Sequence, residues 1–145
     1  MLNPIKSRWF SALLLGTLLA GCGKFDSLSA LEQAAQQLEE GIAGRKTAAV
    51  MELLHADFEG SQGMTRQQAR QQMTGMFLRY QNIGLLVVNR HCEQDQGFYD
   101  RGHCSAQVGV SGAEGLIPQR AELYTVDTVW QLEGKDWLLR EMHWE

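Results

Sequence analysis

Val129-Trp130-Gln131-Leu132-Glu133-Gly134-Lys135-Asp136-Trp137-Leu138-Leu139 is the stretch that decides the fold of this chain. Apolar and polar residues alternate on its left side, the period of two that lays one face of a strand on a core. Gly134-Lys135-Asp136 is a turn, and Trp137 opens the return strand. The pattern predicts a hairpin of strands 119–133 and 136–144. Working backward, Gly112 to Pro118 reads as a turn after a strand over 103–111. Asp95, Gly97 and Gly102 supply turn residues after a strand over 85–94. The second half of the chain therefore reads as an antiparallel meander.

Upstream of Ile83 the period lengthens to that of a helix. Ser29 and Glu32 form a capping-box pattern. Leu31, Ala34, Ala35, Leu38 and Ile42 follow on one helical face, and Gly41 and Gly44 weaken the end. Thr47 is positioned to cap a second, short helix through His55, with Val50, Met51, Leu53 and Leu54 inward. His55 would then complement the dipole at that helix's end. Asp57-Phe58 leaves it, Gly60 to Gly63 turns, and Thr65 with Gln68 forms another capping box. The third helix carries Ala69, Met73, Met76, Phe77 and Tyr80 toward a core. Three helices followed by a meander make an α+β domain.

This order resembles the nuclear transport factor 2-like (NTF2-like, cystatin-like or SnoaL-like) cone over about residues 28–144. The carriers are the two helices separated by Gly44, Asp57-Phe58, the helix starting at Thr65, and the closing Val129 to Leu139 run. The resemblance implies three N-terminal helices packed on a curved antiparallel sheet, with a pocket at the open end of the cone. It also implies an acid or base there in the members that are enzymes, and a homodimer through the sheet face. Fold does not carry function, since unrelated activities share this cone.

The first residues read as an export signal. Lys6 and Arg8 precede an apolar run from Trp9 to Ala20, about a dozen residues where a spanning helix needs roughly 20. Leu19-Ala20-Gly21-Cys22 then resembles the lipobox of bacterial lipoproteins. The resemblance implies a signal peptide over 1–21, a lipidated Cys22, a tether over 22–27 and a folded domain over 28–145. The protein would be anchored in the cell envelope, facing the periplasm, and Gly23 in place of an aspartate points to the outer membrane. Loss of the first 21 of 145 residues leaves 124, enough for one domain with a core. Two of 13 basic residues leave with the signal against 17 acidic ones, moving the net charge from −4 to about −6. No basic cluster remains to neutralise a phosphate backbone, so nucleic acid is not an expected partner.

Cys92 and Cys104 remain. An oxidising compartment favours a disulfide, and a bridge between facing strands would staple a hairpin. His91-Cys92 and His103-Cys104 also supply two imidazoles and two thiols, a zinc ligand set in kind. Neighbours along a strand point to opposite faces, however, which sets His91 and His103 apart from the cysteines. A two-histidine surface site at His91 and His103, and free thiols, stay open as alternatives.

No phosphate loop, nucleophile elbow or zinc-helix motif occurs, and no cofactor is expected. The candidates for pocket chemistry are Asp57, Tyr80, Asp127 and His143. A buried Asp127 would titrate high enough to move a proton from a carbon acid. Without a dense polar constellation, the expected function is non-enzymatic binding of a small apolar molecule or an envelope protein. An isomerase, dehydratase or hydrolase pocket and a structural role in an envelope complex are the alternatives.

Overall fold

The computed structural model describes residues 25–113 and 120–145. The signal segment, Cys22 and most of the turn over 112–118 lie outside the described residues. Helix α1 spans Ser27–Ala43, α2 Thr47–Leu53 and α3 Arg66–Arg79. Strand β1 spans Leu54–Gly60, β2 Met64–Thr65, β3 Asn82–Gln94, β4 Arg101–Ala113, β5 Arg120–Glu133 and β6 Asp136–Trp144. The six strands form one curved sheet in the order β2-β1-β6-β5-β4-β3. The helices pack on its concave face.

The meander of β3 to β6 is antiparallel, as its alternation predicts. Two strands extend it beyond that expectation. Residues 54–60 form β1, which pairs in parallel with β6, so the sheet is mixed. Helix α2 therefore ends at Leu53, and His55 and Asp57 lie on a strand. The alternating burial of Leu54, Phe58 and Gly60 against the sheet outweighs the weak propensity of a seven-residue helix to continue. Cap positions shift as well. Asp26, not Ser29, caps α1 and accepts from the Ser29 backbone N–H at 3.1 Å. Lys46, not Thr47, precedes α2, with no side-chain cap. The Thr65–Gln68 capping box of α3 is present in full.

The core lies between α1, α2 and the β5–β6 end of the sheet. Leu31, Trp130 and Leu139 are completely buried, with Leu38, Val50, Met51 and Trp137 around them. Gly41 lets α2 approach α1, since a Cβ there would sit 2.8 Å from Val50 Cγ2. Trp130 donates its indole N–H to Thr128 Oγ1 at 2.9 Å, and Thr128 donates onward to the Cys104 carbonyl at 2.9 Å. Each polar group in this buried chain therefore has a partner.

Two bulges set which residues face inward. β3 gains one residue between Val88 and His91, where Asn89 takes a left-handed φ of 52°. Before it Leu85 and Val87 face the helices; after it Arg90 and Cys92 do. β6 gains one residue at Arg140, between the Trp130–Leu139 and Val129–Glu141 pairs. Before it Trp137 and Leu139 face inward; after it Met142 and Trp144 do.

Candidate functional site

Between α3, the C-terminal half of α1 and the concave sheet lies a cavity of about 820 Å³. Trp130 and Leu139 floor it, both completely buried, while Met76 at its other side is 42% exposed, so the cavity opens beside α3. Met73 and Phe77 of α3 face Leu85, Val108, Val110 and Val126 of the sheet across it. The volume and apolar walls suit a small organic molecule. Polar groups stand at its edges. Glu39 and Arg90 pair at 3.1 Å on one side. On the other, the Tyr124 hydroxyl donates to the Glu122 carboxylate, and Tyr80 and Arg79 stand nearby in the same lining. Tyr80 lies against Gly112, where an added Cβ would meet the ring at 3.0 Å. The Arg79 guanidinium sits 5.5 Å from the Tyr80 ring centroid.

Of the four candidates for pocket chemistry, the cavity takes in Tyr80 alone. Asp127 is exposed on the outer sheet face because Trp130, Thr128, Val126 and Tyr124 hold the inward parity of β5. This removes the desolvation on which a proton-shuttling Asp127 depended. His143 shares parity with Trp137 and Leu139, but the extra residue at Arg140 turns it outward, 3.6 Å from Glu141. Asp57 lines a separate surface hollow with Glu59, Thr65 and Arg66. Its carboxylate receives Arg140 Nη1 at 3.0 Å. These three do not converge on one another inside an enclosed space.

His55 is held in a network that sequence periodicity did not reveal. Its Nδ1 accepts from the Asp57 backbone N–H and from Arg140 Nη1, each at 3.0 Å. The proton therefore resides on Nε2, which donates to Glu133 Oε1 at 2.9 Å. Both ring nitrogens are occupied, so the ring ties β1 to β6 and the β5 end rather than serving as a base. His55 does not end a helix, and its expected dipole role is replaced by this one.

Cys92 and Cys104 are register partners, both buried, with their sulfurs 2.08 Å apart at disulfide distance. His91 and His103 occupy the opposite face. His91 lies 3.8 Å from Glu93, and His103 hydrogen-bonds Asp95. Among the described residues no group of three or more His, Cys, Asp or Glu is arranged to hold a metal.

Glu122 and Tyr124 are the edge groups that sequence reading missed. Their signal was available: counting back by twos from an inward Trp130 gives Thr128, Val126, Tyr124 and Glu122.

No family model matches this sequence, and no curated protein matches it. Solved structures do match. A protein of the NTF2-like family from Streptomyces avermitilis is 13% identical, with 81% of this chain and 93% of that one covered, at a TM-score of 0.70. The hexachlorocyclohexane dehydrochlorinase LinA-type3 from Novosphingobium barchaimii is 13% identical over 81% and 84% of the two chains, at 0.66. A protein of unknown function with a cystatin-like fold from Nostoc punctiforme is 16% identical over 81% and 88%, at 0.62. At such identities the likeness speaks for architecture, and the sheet order, the three helices and these neighbours together identify the domain as an NTF2-like cone.

Proposed function

We propose that this protein is a lipid-anchored component of the bacterial cell envelope whose cone binds a small apolar molecule. Cys22 would carry the lipid, with the outer membrane as its site. The observation that supports binding is the cavity itself, about 820 Å³ with Val, Leu, Met and Phe walls and its polar groups at the edges. Such a ligand is held by removal of apolar surface from water and oriented by one or two edge contacts. Thermal unfolding of the full protein against a panel of small apolar compounds tests this reading. A binder at 100 times its dissociation constant adds about 2.7 kcal/mol of stability. Failure of every compound to shift the midpoint counts against it.

A pocket enzyme is the second reading, favoured by the Tyr124–Glu122 hydrogen bond in the lining. A carboxylate beside a hydroxyl is a chemically competent acid–base pair. The dehydrochlorinase neighbour shows that this fold can host elimination chemistry in another chain. Turnover lost in Glu122→Gln, with ligand binding retained, distinguishes this reading from simple binding. We also propose self-association through the outer sheet face, where Leu86 and Leu123 are 67% and 72% exposed on either side of Gly109. Sedimentation of Leu123→Lys as a monomer and of the parent as a dimer is the expected result.

A further inference from the structure

We propose that the end of the cone where α1 begins is a membrane-docking surface, with Phe25, Leu28, Phe98 and Tyr99 seated in the headgroup–acyl boundary of a lipid bilayer. The inference rests on the reading of Cys22 as the lipid anchor and adds to it an orientation. These side chains are 45%, 38%, 61% and 84% exposed. Phe25 and Leu28 flank the start of α1, and Phe98 and Tyr99 form the tip of the loop joining β3 to β4.

The two segments lie together. Gln94 Nε2 donates to Ser27 Oγ at 2.9 Å and to the Tyr99 carbonyl at 3.1 Å. Trp137 Nε1 donates to the Ser27 carbonyl at 2.9 Å, fixing the helix start to the sheet. The loop is internally bonded as well, with Phe98 N–H on the Asp95 carbonyl and Arg101 N–H on the Phe98 carbonyl, both at 3.2 Å. A loop so constrained holds two aromatic rings outward in water. Interfacial bilayer is the medium that suits a phenyl ring beside a phenol, one apolar and one with a polar tip.

Chain reach supplies the second argument. Three residue steps separate Cys22 from Phe25, a span of at most about 11 Å when fully extended. A lipid on Cys22 therefore brings this end, and no other, to the bilayer surface. Charge says how it docks. Asp26, Asp95, Asp100, Glu133 and Asp136 outnumber Lys24, Arg101 and Lys135 in the segments that meet at this end. The attraction is then apolar rather than electrostatic, and it persists on zwitterionic lipid. The cavity opens beside α3, and its lining runs on to Ile83 and Gly112 at the end of the β3–β4 pair opposite this loop.

The test uses the full lipidated chain in phosphatidylcholine vesicles, with a fluorophore on Gln96→Cys or on Gln81→Cys, both exposed loop positions at opposite ends. The vesicles carry a nitroxide quencher at shallow acyl depth, and the mass of the Cys22 peptide is measured in the same samples. The proposal expects severalfold stronger quenching at 96 than at 81, reduced by Phe98→Ser with Tyr99→Ser. A lipid on Cys22 with equal quenching at both positions overturns the docking surface and leaves the anchor standing. An unmodified Cys22 overturns both.

Discussion

Asp127 and His143 are register partners on β5 and β6, and both stand on the sheet face turned away from the cavity. Two residue types suited to acid–base work are thus adjacent yet remote from the space in which a ligand fits. Asp127→Asn and His143→Gln are expected to leave ligand-induced thermal shifts unchanged and to alter stability by no more than about 0.5 kcal/mol, as exposed substitutions do. Loss of binding in either variant would place chemistry on the outer face.

Asn89 is what brings Cys92 inside. Its left-handed backbone inserts one residue into β3 and reverses the parity that Leu85 and Val87 set. Asn89→Gly keeps that conformation accessible and is expected to fold with near-parental stability. Asn89→Val meets the steric penalty of a β-branched residue at positive φ, about 1–2 kcal/mol. The comparison is made by urea unfolding, and equal midpoints for the two variants would contradict the role of the bulge.

The two cysteines of the pair stand 12 positions apart in the chain. In the chain-entropy account a bridge of that span stabilises by about 3 kcal/mol. Reduction, or replacement of both cysteines by alanine, is expected to lower the unfolding midpoint accordingly. Thiol titration of the denatured, unreduced protein should find neither Cys92 nor Cys104 reactive; two thiols from this pair would exclude the bridge.

Thr128 is the buried hydroxyl between Trp130 and the Cys104 carbonyl. Thr128→Val removes the acceptor of the buried indole N–H and is expected to destabilise by about 1–3 kcal/mol. Thr128→Ser keeps the hydroxyl and should retain most of that. Calorimetric unfolding separates the two, and identical melting would mean the indole finds another partner.

Much of this architecture is legible in the sequence because alternation and capping are local. The Thr65–Gln68 box fixes the start of α3, and Gly134 sits at a φ of 66° in the turn that joins β5 to β6. What periodicity cannot reveal is tertiary. Residues 54–60 become a strand only because the β6 edge is there to pair with them. Bulges at Asn89 and Arg140 each shift parity by one, and neither is marked by glycine. Cys92 is consequently inside and His143 outside, against simple counting from their strand neighbours. On β5, which pairs with β4 without a shift, counting from Trp130 would have placed Glu122 and Tyr124 inward and Asp127 outward.

The central claim is that the apolar cavity is the ligand site. Val126 lines it, and Val126→Trp fills part of its volume without touching the Glu122–Tyr124 edge by any change of polar group. The direct measurement is the thermal unfolding midpoint of the parent and of Val126→Trp, each titrated with phenylnaphthylamine as an apolar probe. The account predicts a saturable upward shift in the parent and little or none in the variant. Equal shifts in the two proteins would contradict it, because the probe would then be bound somewhere other than the cone.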